Sequence, residues 1–310
     1  MTQTMMAHPA VGRGDITIQP IDPARPDFAG KVSGIHIAAG ISADEAATIE
    51  AGMDQYAVLV FHDQRVTDDQ QYAFSKRFGP METATGDLGM PKDRRLSMDI
   101  NDISNLDKDG NILARDNRRR LFSLGNRLWH SDSSFKATPS KYSLLSARVI
   151  PGSGGNTEFA DMRAAWDALH AATQEQCLDL VCDHSQMYSR ALLGFRPEDF
   201  AGENQNRLNP VPQRLVRRHA ASKRLSLYLA SHAGTIHGWP VPEALAFLRD
   251  LIEHATQRQF VYAHEWRQFD LVMWDNRCTM HRARPFDPTQ KRDMHRTTVA
   301  DSAPTLQQPR

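Results

Sequence analysis

Two apolar runs of strand length stand out along the chain, Ala57-Val58-Leu59-Val60-Phe61 and Leu271-Val272-Met273-Trp274, and each predicts a buried strand. Residues Tyr142 to Ile150 alternate as a strand does, Ile16-Thr17-Ile18 form a shorter one, and Leu225–Leu229 and Phe260–Trp266 add two more. A slower rhythm marks the helices. Ser42 with Glu45 makes a capping box for a helix over Ala43–Tyr56. Thr67, followed by Asp68 and Asp69, opens another that runs through Phe74 and Phe78 and stops at Gly79. Asp161 caps a helix reaching Leu169, and Thr173–Cys182 predicts one more. Pro242 opens the last, whose Leu245, Leu248, Leu251 and Ile252 make a single apolar stripe for core packing.

Between these elements the pattern breaks in two places. Residues 81–123 are polar and charged, as befits a lid over a site, and they include the run Arg118-Arg119-Arg120, read as a solvated face. Residues 195–212 are polar and proline-bearing, and predict an insertion between core strands. A loose N-terminus over 1–15, a single domain over 16–301 and a frayed tail over 302–310 complete the division. Many short strands with a few helices predict a mainly β fold with flanking helices, a sandwich closed into a jelly roll.

Composition removes several functions. Lys plus Arg and Asp plus Glu each number 37, which argues against a nucleic-acid or membrane-surface partner, since both favour a basic excess. No apolar run has the length of a membrane span, and the first thirty residues lack a signal-peptide core. The three cysteines, Cys177, Cys182 and Cys278, form no Cys-x-x-Cys pair, which suits reduced thiols and a cytoplasmic location.

The candidate chemistry lies in Leu128-Trp129-His130-Ser131-Asp132-Ser133-Ser134-Phe135. In extended backbone, side chains two apart share a face, so His130 and Asp132 project together. An imidazole beside a carboxylate supplies two of the three ligands of the facial triad that holds non-haem Fe(II) and leaves positions open. The third has to be a distant histidine, and His281, just beyond the apolar run ending at Trp274, is placed for it. An isolated His-x-Asp is more often a strand-end histidine near an aspartate than a metal site.

Context changes that balance. Asn126-Arg127-Leu128-Trp129 and Ser133-Ser134-Phe135, flanking the motif, resemble the metal-binding segment of the taurine dioxygenase and 2,4-dichlorophenoxyacetate dioxygenase family, and Trp274-Asp275-Asn276-Arg277-Cys278-Thr279-Met280-His281-Arg282-Ala283 resembles its second metal motif. The resemblance runs from about Ile35 to about Val299 and is nearer the dichlorophenoxyacetate branch. It implies a double-stranded β-helix and an Fe(II)- and 2-oxoglutarate-dependent oxygenase that uses O₂ and releases succinate and CO₂. His130, Asp132 and His281 match the metal ligands. Arg292, eleven residues after His281, and Thr157, after the glycine turn, match the residues that bind the C5 carboxylate of 2-oxoglutarate. Arg296 matches an arginine near the cosubstrate that often takes the substrate's anionic group; Trp266 matches a neighbour of the cosubstrate, and Asn126 a polar residue of the pocket. The tempting His62 is structural by the same comparison.

The substrate-specific positions depart from the family. Ala84 and Asp87 stand where the taurine enzymes carry a histidine and a tyrosine, and Asp87 and Leu96 fall near lysines of the dichlorophenoxyacetate enzymes. Neither an acidic nor an apolar side chain replaces a cation for an anionic substrate. That argues against taurine and leaves Arg296, Arg94 or Arg95 to supply the charge. The expected substrate is a small organic carboxylate, an aryloxyalkanoate or an N-substituted amino acid. Self-association is common in the family. Two rival classes stay open: a jelly-roll protein that binds a metal or small acid without turnover, and a zinc hydrolase on the same three ligands.

Overall fold

Period-two alternation sorts the strand side chains into layers. In the computed structural model, which describes residues 15–84, 94–200 and 208–309, fifteen strands are assigned. They are β1 (Thr17–Pro20), β2 (Gly30–Ser33), β3 (Val58–Phe61), β4 (Asn101–Asp102), β5 (Ser140–Val149), β6 (Thr157–Asp161), β7 (Val181–His184), β8 (Val211–Arg214), β9 (Val216–Arg218), β10 (Leu225–Leu227), β11 (Ala233–Ile236), β12 (Val261–His264), β13 (Leu271–Asp275), β14 (Thr279–Ala283) and β15 (Asp293–Ala300). Seven build one sheet in the order β1-β2-β3-β13-β5-β15-β4, and β12-β6-β14 build a smaller one. Val58 and Val60 of β3, Val272 and Trp274 of β13 and Met294 of β15 pack with Phe159 of β6 in one cluster between the two sheets. Their neighbours Leu59, Phe61, Leu271 and Met273 point the other way, onto helices α1 (Ala43–Tyr56) and α2 (Asp68–Ser75). On the far side, Ala160 of β6 and Met280 of β14 pack against α4 (Met162–Asp167) and α7 (Val241–Ala255). The result is the double-stranded β-helix, with a helical layer on each outer face.

Local signals hold where the chain supplies its own caps. Ser42 and Glu45 form the capping box of α1, and Thr67 and Gln70 form that of α2. Asp161 caps α4. The predicted helix over Thr173–Cys182 divides instead: α5 covers Ala171–Cys177, and the chain turns into β7 by Val181. Helix α6 (Gln186–Ala191), capped by the Ser185 hydroxyl, has no strong signal in the sequence. The tail does not fray, because Thr305 is buried and hydrogen-bonds Gln213 and Arg214, while Asp301 pairs with Arg217. The N-terminal residues 1–14, lid residues 85–93 with Asp87, insertion residues 201–207 and Arg310 lie outside the described residues. The cysteines are buried and unpaired, and burial pushes Cys177 and Cys182 up to about 12, so none is a ready nucleophile.

The basic run is a solvated face only at Arg118, which is exposed; Arg119 and Arg120 are drawn into the structure. The run opens helix α3 (Arg118–Ser123), from which Arg119 pairs with Asp102 at 2.7 Å and Arg120 donates to the Leu113 carbonyl at 3.1 Å. Arg95 bridges Asp102 and Asp293 from the same region, tying the lid to the sheet edge. Beyond them His295 sits between Asp68 at 2.5 Å and Asp293 at 3.1 Å. Burial works against its charge, but the two carboxylates prevail and raise its pKa above the ordinary value. A raised folded-state pKa contributes stability below the unfolded value and loses it as pH climbs through the folded one. His295→Gln is therefore expected to lower the urea midpoint clearly at about pH 6, with the loss shrinking as pH rises through the folded-state pKa. A loss of equal size at every pH would leave the imidazolium with no part in holding this edge.

Candidate active site

The three candidate metal ligands converge from two remote segments. His130 and His281 form an isolated antiparallel bridge, each backbone N–H donating to the other's carbonyl, at 3.0 and 2.8 Å. Met280 of β14 faces the outer helices, so alternation turns His281 inward, against Trp274 and Phe159. On the other segment extended backbone ends at the bridge: Ser133 takes φ 53° and the chain turns there. Ser131 points away to the Leu229 and Thr279 carbonyls, and Asp132 shares the histidines' side. The Nε2 atoms of His130 and His281 lie 3.8 and 3.7 Å from the Asp132 carboxylate. One ligand atom from each of the three falls within 4.8 Å of the others, and all three residues are buried. This is the only such group of three among the described residues.

Neighbouring side chains set the ligands' orientation and charge. His130 Nδ1 donates to the Leu128 carbonyl at 2.7 Å, which leaves Nε2 unprotonated for a metal. Ser143 donates to Asp132 Oδ2 at 2.7 Å, Asn276 donates to Ser143 at 2.9 Å, and Trp274 and the Asp132 N–H both donate to the Asn276 carbonyl oxygen. Burial lowers the pKa of both histidines, so they are neutral ligands. Burial pushes the Asp132 carboxyl up, but Arg296, the two histidines and Ser143 outweigh it and hold the group well below the usual carboxylate range. Ser143→Ala, which frees one carboxylate oxygen to swing, is expected to weaken Mn(II) binding by about 10- to 100-fold. Calorimetric titration measures this; undiminished affinity would show that the histidines alone aim the carboxylate.

The remaining sequence-derived positions surround this centre. Thr157 begins β6, where its hydroxyl accepts from Trp266 Nε1 at 3.0 Å and keeps its own proton free to donate. Arg292, just ahead of β15, is buried with no carboxylate partner among the described residues; its Nη1 reaches only the Ile103 carbonyl, at 3.1 Å. Burial alone pulls its pKa down to about 10, which still leaves it charged at neutral pH. Gly154 and Gly155 both take φ 73°, and that turn brings the start of β6 beside Arg292, whose Nε lies 3.6 Å from the place a Cβ on Gly155 would occupy. Arg296 is engaged with Asp132 through Nη1 at 2.5 Å, while its Nε has no partner. Asn126 lines the same cavity as His130, Asp132, Arg292 and Arg296. Arg95 is committed to Asp102 and Asp293, and Arg94 donates to the Ser97 and Ile100 carbonyls. His62 pairs with Asp270 at 2.7 Å and plays no part in the triad.

The sequence analysis quotes Asn276 and Phe135 within its two motifs without giving either a role, and it passes over Ser143 behind Asp132 and Arg190 and His232 on the cavity wall. For Ser143 a signal existed, a hydroxyl amid the apolar positions of a buried strand.

Comparison with known proteins agrees with this geometry. Residues 17–298 match the family described as taurine catabolism dioxygenase TauD, TfdA family. The alpha-ketoglutarate-dependent 2,4-dichlorophenoxyacetate dioxygenase of Cupriavidus pinatubonensis is 43% identical over 282 residues, 91% of this chain and 98% of that protein. The (S)-phenoxypropionate/alpha-ketoglutarate-dioxygenase of Sphingobium herbicidovorans is 36% identical, covering 90% of this chain and 94% of its own. Among solved structures, AAD-2 in complex with Mn(II) and N-oxalylglycine superposes with a TM-score of 0.88 at 55% identity, over 94% of this chain and 99% of that one. Family match, relatives and buried His-Asp-His group agree, and the chain belongs to the TauD, TfdA dioxygenase family.

Proposed function

We propose that this protein is an Fe(II)- and 2-oxoglutarate-dependent dioxygenase that hydroxylates a small aryloxyalkanoate. The observation that carries the cosubstrate is Arg292. A buried guanidinium without an acid partner is costly, and it becomes favourable when a carboxylate arrives to pair with it. Its neighbourhood fits the C5 carboxylate of 2-oxoglutarate, with the Thr157 hydroxyl available to donate a further hydrogen bond. A zinc hydrolase or an inert metal carrier has no need of such a cation. The aryl preference rests on relatives named for aryloxy acids and on aromatic side chains, Phe122 and Phe135, in the cavity wall.

His130, Asp132 and His281 would hold the iron on one face, as neutral, anionic and neutral ligands. With 2-oxoglutarate and O₂ bound, that iron supplies the oxidising power by which the cosubstrate leaves as succinate and CO₂ and one oxygen atom reaches a substrate C–H bond. The chain's own contribution is position. Arg292 and Thr157 orient the cosubstrate, the Ser143–Asn276 pair keeps Asp132 aimed, and the lid held by Arg95 and Arg119 limits entry of water. Hydroxylation at the carbon bearing an ether oxygen yields a hemiacetal, which collapses to a phenol and a 2-oxo acid. Among the described residues no helix is long and apolar enough to cross a membrane.

The deciding experiment measures succinate release by Fe(II)-loaded protein with 2-oxoglutarate and O₂ across aryloxyacetates, both enantiomers of aryloxypropionates, N-acyl amino acids and taurine. Strong stimulation by an aryloxy acid, with phenol formed in step, is the expected result. Stimulation by N-acyl amino acids alone would move the substrate class, and turnover of an ester with zinc and no O₂ would replace the oxygenase with a hydrolase.

A further inference from the structure

The turn that follows Asp132 runs through a backbone conformation that its residue resists. Ser133 takes φ 53°, in the left-handed region, where a Cβ crowds the neighbouring carbonyl and a residue other than glycine stays only if its surroundings hold it. A relaxed helical φ lies roughly 110° away. The chain beyond Ser133 is not free to take up such a rotation. Ser134 is fully buried, the Lys136 N–H closes the turn on the Ser133 carbonyl at 2.9 Å, and Gln213 Nε2 donates to the Ser134 and Lys136 carbonyls at 2.9 and 2.8 Å. Ahead of Ser133 stands the peptide plane of Asp132, whose carbonyl accepts from the Ser140 hydroxyl at 2.6 Å. Relaxation at Ser133 therefore swings that plane, and with it the carboxylate that Ser143 aims.

Glu82 is what holds Ser133 there. The Ser133 hydroxyl donates to Glu82 Oε2 at 2.8 Å, and Lys136 Nζ pairs with the same oxygen. Glu82 is rooted well away from the metal-binding segment: its N–H donates to the Thr298 carbonyl of β15 at 2.9 Å, and Met81 beside it bridges Val299. Only 8% of its side chain is exposed, and Oε1 is buried without a hydrogen-bond partner. Burying a carboxylate with one oxygen idle is costly, and a half-buried lysine gains too little from an ion pair to account for it. On the reading that His130, Asp132 and His281 hold the metal, we propose that Glu82 is a positioning residue for that ion, clamping Ser133 in its left-handed turn and so fixing the main chain from which Asp132 reaches the site. Ser143 and Asn276 aim the carboxylate, and Glu82 places the backbone beneath it.

The test is calorimetric titration of the metal-free full chain with Mn(II), with a urea midpoint taken for each variant. Glu82→Leu removes the acceptor, and Ser133→Ala removes the donor while keeping the Cβ. Each should raise the Mn(II) Kd on the order of 10-fold, the lower end of the cost of an outer-shell change. Ser133→Gly removes the donor together with the Cβ that opposes the turn, so it should lose less than Ser133→Ala. In that glycine background Glu82→Leu should move the Kd by less than about 3-fold, because no strain is left for the carboxylate to hold. Glu82→Gln still offers Ser133 an acceptor and should recover part of the affinity lost in Glu82→Leu. If Glu82→Leu fails to fold, the two Ser133 variants carry the comparison, with alanine weaker than glycine as the expected order. Equal losses in Ser133→Ala and Ser133→Gly would reduce the hydroxyl to a packing contact and overturn the proposal. Lys136→Met added to Glu82→Leu should leave the affinity low; a return to the wild-type Kd would make Glu82 a mere counter-charge for the lysine and overturn it as well. The metal-site reading fails by a different sign. Wild type that takes up no Mn(II) loses that reading and the clamp together, whereas wild type that binds Mn(II) no more tightly than Glu82→Leu and Ser133→Ala loses the clamp alone.

Discussion

Asp132→Asn is expected to weaken Mn(II) binding by roughly 100-fold or more, beyond the range typical of an outer-shell change, and to take succinate release below detection. Both histidines are neutral because burial pulls their pKa values down, so Asp132 is the one anion of the group. The amide keeps the shape and still accepts from Ser143, but it removes the charge that draws a dication inward. It also strands Arg296, whose Nη1 pairs with that carboxylate and whose Nε already lacks a partner. Breaking a buried ion pair from one side costs about 3–5 kcal/mol, so the variant should be less stable as well as weak for metal. The double variant Asp132→Asn/Arg296→Gln separates the two effects, because it should regain stability and remain unable to bind the ion. Calorimetry with Mn(II) and a urea titration read the two quantities. Wild-type metal affinity in Asp132→Asn would remove the carboxylate from the ligand set.

Arg292→Met should act with opposite signs on stability and on function. Arg292 is a buried cation held by the Ile103 carbonyl and the face of Phe286, with no carboxylate partner among the described residues, so an apolar replacement is expected to raise the thermal midpoint, by about 2–4 °C for each kcal/mol gained. The same change removes the proposed partner of the C5 carboxylate, and the Kd for 2-oxoglutarate should rise by roughly 100- to 1000-fold, the usual cost of truncating one side of a buried charge pair. A ligand that binds only the folded state stabilises it in proportion to the logarithm of its saturation. Added 2-oxoglutarate should therefore raise the wild-type midpoint and leave that of the variant where it is, with Mn(II) binding intact in both. A variant still stabilised by 2-oxoglutarate would place the C5 carboxylate on a different cation.

The most legible parts of this protein are those where local rules suffice. The capping boxes at Ser42 and Thr67, the buried strands at β3 and β13 and the inward-facing His-x-Asp pair are each written within a few consecutive residues, because caps and alternation act over one turn or one pleat. The resemblance extends local signals to distant ones, pointing to His281, Thr157 and Arg292. What stayed hidden depends on contacts that reach beyond one turn or one pleat. The sequence marks Arg118-Arg119-Arg120 as a solvated face, yet Asp102 and the Leu113 carbonyl receive two of those arginines once the lid folds onto the sheet edge. It marks 302–310 as a tail, yet Thr305 finds Gln213 some ninety residues away. Arg296 and Arg190 show the limit most clearly. Both are arginines near the site, and only the fold sets Asp132 against one and leaves the other buried and unpaired. By itself the sequence determined the layered β architecture and singled out the three side chains that the fold gathers into one buried His-Asp-His group, because those rest on periodicity and short motifs. The tertiary structure alone decided which charges are neutralised within the protein and which stay open for a ligand, because neutralisation depends on distance in space.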